Sequence, residues 1–168
     1  EKGASTNAML RTTTALTIVN AGNKDNVLPG MAEATVNFRL LPGDTRDGIM
    51  QHVKSAAASD RFELFALPGS AEPSPVSPTE SASYQLLNRT VRSLFPDVIV
   101  APGLMIAATD SRHFSPISDH IYRFSPVRAK PEDLARFHGT NERMAIGNLS
   151  EVVRFYHQLL RNASGATP

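Results

Sequence analysis

The spacing of apolar and polar positions changes several times along the chain, and each change predicts an element. Arg11 to Asn20 (RTTTALTIVN) is rich in β-branched side chains, which suit a strand. Gly22, Asn23, Asp25, Asn26, Pro29 and Gly30 make the following stretch a turn region. From Met31 to Leu40 the residues alternate. Ala32, Ala34, Val36 and Phe38 fall on one face, and Glu33, Thr35, Asn37 and Arg39 on the other. Pro42-Gly43 closes that strand, and Asp44 or Thr45 can cap a helix running to Ala58, with Ile49 and Val53 in helical phase. Phe62 to Leu67 (FELFAL) predicts a third short strand, stopped by Pro68-Gly69.

Ala71 to Pro78 (AEPSPVSP) is proline-rich and predicts an extended, semi-rigid linker. Beyond it, Tyr84, Leu87, Val91 and Leu94 recur at helical spacing and predict a helix over Ser81 to Phe95. Asp97 to Met105 predicts a buried strand broken by Pro102-Gly103, Asp110 to Phe114 a short helix, and Tyr122 to Val127 a strand or extended segment. Asn148 to Arg161 closes the pattern as an amphipathic helix whose apolar stripe is Leu149, Val152, Val153, Tyr156, Leu159 and Leu160.

The first half thus reads β-β-α-β. A ferredoxin-like β-α-β-β-α-β sheet would need one more strand and one more helix before Arg11. The second half reads α-β-α-β-α, as at the edge of a layered α/β domain. The expected fold class is α/β with an α+β lid, and two incomplete domains in one chain predict a piece of a longer polypeptide.

Composition narrows the function. The 168 residues are 41% hydrophobic and 20% charged, ordinary globular usage. A net charge of +1 with no basic stripe gives no footing for nucleic acid or an anionic membrane. No apolar run approaches the ~20 residues of a membrane span. Cysteine is absent, which excludes disulfides, a thiolate zinc site and a cysteine nucleophile from these residues.

Chemistry falls to the five histidines, none of which forms an H-E-x-x-H or His-x-His pair. His52 and His157 lie in predicted helices, where solvated surface is the simpler role, and the same reading suits His120. His138 differs. It lies in Phe137-His138-Gly139-Thr140-Asn141-Glu142-Arg143, a polar loop ahead of the last helix. Glycine after histidine lets the backbone turn tightly towards a bound ion. Asn141 and Glu142 can hydrogen-bond the second imidazole nitrogen or nearby backbone. The residues alone leave two readings, a metal ligand or a loop histidine held by Asn141.

Four stretches then carry a resemblance. His138-Gly139-Thr140-Asn141-Glu142-Arg143 resembles the C-terminal metal-ligand motif of the di-zinc peptidase family that includes carboxypeptidase S, aminoacylase and glutamate carboxypeptidase. Asn26-Val27-Leu28-Pro29-Gly30 resembles the Asn-Val-Ile-Pro element of that family's lid, or dimerisation, domain. Ala34-Thr35-Val36-Asn37-Phe38-Arg39 resembles the lid strand that follows and ends in arginine. Ala108-Thr109-Asp110-Ser111-Arg112-His113-Phe114 resembles the family's Gly-Thr-Asp-Ala-Arg-His turn. Their order matches, and the carboxypeptidase S branch is the most similar.

The resemblance implies an incomplete lid over residues 1–72, a linker over 73–78 and the C-terminal part of a catalytic domain over 79–168. It implies a zinc-dependent peptidase or N-acyl-amino-acid hydrolase that cleaves an amide next to a free carboxylate and forms a homodimer through the lid. His138 would be a metal ligand, with Asn141 and Glu142 supporting it. Asn26, Arg39 and Arg112 would contact a peptide or N-acyl amino acid, since guanidinium forks suit carboxylates and an amide can meet a developing oxyanion. Without the resemblance, Arg112 and Arg39 read as surface arginines and Asn26 as a turn residue. Two zinc ions need more donors than one histidine supplies, and the family's other ligands and general base have no counterpart here. The chain alone is therefore expected to be inactive. The alternative is a non-catalytic dimerisation or binding module.

Overall fold

The computed structural model describes residues 3–165. Its contacts divide the chain into two units, Glu1–Val76 with Leu104–Arg112, and Ser77–Gly103 with His113–Pro168. The change of unit at Val76/Ser77 falls within the proline-rich stretch.

The first unit contains α1 (Ala4–Ala8), β1 (Thr13–Ala21), β2 (Ala32–Arg39) and α2 (Arg46–Ala57). Both strands form where their composition predicts them, and they pair as an antiparallel hairpin. Its register contains an irregularity that the alternation does not reveal. Leu16 pairs with Val36 and Ile18 with Thr35, so Thr17 is an extra residue in β1. The Thr17 hydroxyl fills the gap by donating to the Thr35 carbonyl at 3.1 Å. Directly paired side chains share a face. The bulge therefore places Leu16 and Val19, three residues apart, on the same face as Val36 and Ala34. That apolar face is uncovered, with Leu16 63% and Val19 61% exposed.

α2 begins where the capping residue predicts. The Thr45 hydroxyl accepts from Gly48 N at 3.0 Å, and the Glu72 carboxylate accepts from Arg46 N at 3.0 Å. Together they satisfy two of the helix's orphan N–H groups. Thr12 ties the base of the hairpin to the same turn. Its hydroxyl accepts from Leu41 N at 2.8 Å and donates to the Asp44 carboxylate.

Phe62 to Leu67 forms no strand. Strand propensity is realised only in a ladder, and this segment pairs with neither edge of the hairpin; Phe65 remains 70% exposed. The lid sheet is therefore β-β-α rather than β-β-α-β among the described residues. Asp97 to Met105 also forms no strand. Pro102 there lacks the N–H a central ladder would need.

The second unit is built on α3 (Ala82–Leu94) packed against α4 (Ile146–Ala163). Ser81 caps α3, accepting from Tyr84 N at 3.1 Å. Val91 and Phe155 form the apolar centre, with Phe155 fully buried and edge-on to Phe124 at 5.3 Å. Thr90 is also buried. Its hydroxyl donates to Leu86 O and accepts from Asn162 Nδ2 at 2.9 Å, joining the two helices.

Helix α4 buries a different face from the predicted stripe. Asn148 and Phe155 are buried, with Val152 and Leu159 half-buried in the same phase, whereas Leu149, Val153, Tyr156 and Leu160 are exposed. The helix is apolar on two sides, and periodicity cannot say which side meets α3.

The extended segment at Tyr122 to Val127 is present without a ladder. Ser77 replaces one. Its hydroxyl donates to Ile121 O at 3.0 Å and accepts from Ile121 N at 2.9 Å. No helix among the described residues is long and apolar enough to cross a membrane.

Candidate functional site

The loop between Arg128 and Asn148 is built in stages. Pro131–Arg136 is a 3-10 helix with proline at its start, where a missing N–H costs nothing. Asp133 closes its first turn, accepting from Lys130 N at 3.0 Å and donating its own N–H to Lys130 O at 2.9 Å. The Lys130 N–H, followed by Arg136 and Arg143, holds the Asp133 carboxyl below its ordinary value. Gly139 N then donates to Arg136 O at 2.9 Å. A Cβ at Gly139 would stand 3.2 Å from Ala135 O, a tight contact that glycine avoids.

His138 is the third residue of this turn and lies in the left-handed region, φ 57°, and Asn141 repeats the conformation at φ 63°. Asparagine tolerates that region; for histidine it costs roughly 1–2 kcal/mol. Such strain persists where surrounding contacts impose it, and it clusters at functional positions. One of those contacts is Glu142, whose carboxylate accepts from His138 N at 3.3 Å. Glu142 thus holds the backbone of His138. His138, Asn141 and Glu142 are all exposed.

The base of this loop is a cluster that the sequence reading missed. Asn148, only 5% exposed, accepts from Arg128 N at 2.8 Å through Oδ1, and its Nδ2 donates to Pro126 O at 2.8 Å and to Glu151 Oε2 at 2.9 Å. Glu151 in turn binds the Arg128 guanidinium at 2.7 and 3.0 Å, the two-pronged geometry that arginine favours. The Arg128 bond, followed by the Asn148 bond, lowers the Glu151 pKa. Arg128 also lies 5.7 Å from the centre of the Phe95 ring. One signal was present: Asn148 is in phase with Val152, Phe155 and Leu159, a polar residue on an otherwise apolar face. A cleft of about 330 Å³ beside the cluster is lined by Phe95, Asp97, Arg128, Glu151 and Arg154, among others.

The remaining predicted contacts lie in the first unit. Arg112 is exposed on the 3-10 helix Asp110–Phe114. The Thr109 hydroxyl bonds that of Ser111, and Thr109 O accepts from Arg112 N at 3.3 Å. Asn26 is exposed in the turn beyond Ala21 and Ala32, and Arg39 pairs with Thr13 at the opposite end of the hairpin. Seven strand steps separate Ala32 from Arg39, roughly 23 Å at ~3.3 Å per residue. Asn26 and Arg39 of one hairpin therefore do not meet at a single group.

Among the described residues, no three His, Asp or Glu side chains come together in a group able to hold a metal ion. The described residues thus form no complete metal site, and His138 has no second such side chain grouped with it in a set of three.

Residues 1–62 match the model of a peptidase dimerisation domain. The chain is 48% identical over 155 residues to the probable carboxypeptidase S-like 2 of Dictyostelium discoideum, covering 92% of this chain and 30% of that protein. It is 45% identical to the N-fatty-acyl-amino acid synthase/hydrolase PM20D1 of Mus musculus, over 97% of this chain and 33% of that protein. The corresponding protein of Xenopus tropicalis is 48% identical, over 97% of this chain and 32% of its own length. No solved structure matches it. The chain spans about a third of the length of the curated relatives it matches.

These similarities define a chain that carries a peptidase dimerisation domain over residues 1–62. The chain belongs to the peptidase family of the carboxypeptidase S-like proteins, the family its four motifs resemble.

Proposed function

We propose that this chain is part of a zinc-dependent carboxypeptidase or N-acyl-amino-acid hydrolase, cleaving an amide bond beside a free carboxylate. Residues 1–72 serve as the lid, 73–78 as the linker and 79–168 as part of the catalytic domain. The observation that carries the reading is the His138 loop. An exposed histidine is held in a costly left-handed conformation by Glu142 and a glycine turn.

In this reading His138 is the donor that this chain contributes to a two-zinc site, with Asn141 and Glu142 supporting its loop. The other donors and the general base lie in the part of the relatives' length that this sequence does not span. Bound zinc would supply an activated water and polarise the amide carbonyl. Arg112 holds the substrate carboxylate, and Arg39 and Asn26 contact substrate carboxylate or carbonyl oxygen. Placed at opposite ends of the hairpin, Asn26 and Arg39 serve different contacts, and a homodimer allows one of them to act in the partner subunit's site. The chain alone is inactive.

The test assays the 168-residue chain and the full-length protein on dipeptides and N-acyl amino acids with added Zn²⁺. Turnover is expected from the full-length protein and lost in His138→Ala. Turnover by the chain alone, lost in the same variant, overturns the inactivity.

A second reading, a non-catalytic dimerisation module, draws on the uncovered apolar face of the hairpin. Sedimentation of the chain at increasing concentration tests it, and a strictly monomeric chain rules it out.

A further inference from the structure

We propose that Asn148 is a positioning residue that sets the conformation of the His138 loop from its base. This rests on reading that loop as part of the functional site. Within the second unit, the loop leaves the helix-packed part at Arg128 and returns at Asn148, so residues 129–147 form one excursion. A single buried amide closes its mouth. Asn148 Oδ1 receives the Arg128 N–H, and Asn148 Nδ2 reaches Pro126 O, on the strand-like segment that feeds the loop. The same Nδ2 group engages Glu151, whose carboxylate grips the Arg128 side chain.

Two facts make this more than packing. First, the ends are joined by hydrogen bonds that only a side chain with both donor and acceptor can make. Second, the loop stores strain at His138, and strain persists only where the surrounding contacts together impose it; the closure at Asn148 adds to the local hold of Glu142 and the Gly139 turn. Shortening Asn148 releases the mouth and lets His138 relax to an unstrained φ. Asn148 touches neither His138 nor, in the proposed reading, substrate, so it acts through the loop.

The test compares the intact protein with its Asn148→Ala and Thr90→Ala variants. Thr90→Ala loosens the α3–α4 pair by removing the hydroxyl bonded to Asn162, without touching the loop. Amide hydrogen exchange is followed over residues 129–147, and the His138 imidazole by its proton–nitrogen NMR correlation. Asn148→Ala is expected to raise loop exchange about tenfold or more beyond any rise seen in α3 and α4. It should also move or broaden the His138 signal, and Thr90→Ala should do neither.

Unchanged loop exchange in Asn148→Ala, or the same changes in Thr90→Ala, overturns the proposal. If Asn148→Ala does not fold, Glu151→Gln weakens the same closure and is expected to raise loop exchange by a smaller factor. No rise there overturns it equally. Full activity in His138→Ala would remove the functional reading of the loop while leaving the exchange result to judge Asn148 separately.

Discussion

The side-chain oxygen of Asn148 accepts a hydrogen bond from the backbone N–H of Arg128 at 2.8 Å, across twenty positions of sequence. Asn148 is buried and its bonds to Arg128 N and Pro126 O are part-buried, so water replaces it poorly there. Asn148→Ala should therefore destabilise the second unit by about 2 kcal/mol, the usual cost of leaving buried polar groups unpaired. Denaturant unfolding monitored on the intact chain measures it. A loss below about 0.5 kcal/mol would show that the closure is not needed for stability.

The pH dependence follows from Glu151. Its pKa is lowered from the ordinary 4.5, first by the Arg128 bond and then by Asn148. A lowered folded pKa contributes stability that is fully present above 4.5 and is lost as pH falls through the folded value. Wild type should lose stability in that acid window, and Glu151→Gln should start less stable and lose less. Melting temperatures of both proteins over the acid range check this. Parallel curves would exclude Glu151 as the titrating group.

The loop offers a paired test at neighbouring positions. His138→Gly should stabilise the loop by about 1 kcal/mol, because glycine adopts the left-handed region without a Cβ penalty. Gly139→Ala should do the reverse, since its Cβ would crowd Ala135 O. Unfolding midpoints distinguish the two, and equal effects would remove the conformational account of this turn.

In the lid, Thr17→Val should cost about 1 kcal/mol by deleting the hydroxyl bond to Thr35 O at the bulge. Its β-branched shape is retained, so the loss reports the bulge. A variant as stable as wild type would show that the register is set by the apolar pairs alone.

For the proposed activity, Arg112→Lys in the full-length protein should raise KM for a substrate with a free carboxylate about tenfold. Lysine keeps the charge and loses the two-pronged fit. A substrate lacking that carboxylate should show no such change. Equal effects on both substrates would place Arg112 away from the carboxylate.

Much of the local structure was legible without coordinates. Thr45 and Ser81 announce helix starts because a hydroxyl ahead of a helical run satisfies an orphan N–H. The hairpin follows from β-branched and alternating residues around a glycine- and proline-containing turn. The His138 motif, together with the lid motifs, was enough to place the chain in its family. These are properties of neighbouring residues, and neighbours are what a sequence displays.

Tertiary structure decided the rest. Phe62 to Leu67 carries strand propensity but pairs with nothing, because a ladder needs an available edge in the right place. The extra Thr17 became visible only once β1 was laid against β2. Helix α4 is apolar on two sides, and only contact with α3 selected Phe155 rather than Tyr156 for the interior. The closure of the loop by Asn148, Arg128 and Glu151 joins residues twenty or more positions apart. Hydrogen bonds at that separation depend on how helices and loops meet in space. The sequence thus determined which residues form helices, turns and family motifs, because short-range sterics and capping act within a few residues. The folded chain alone determined which faces are buried and what holds His138, because burial and long-range pairing arise only when distant segments meet.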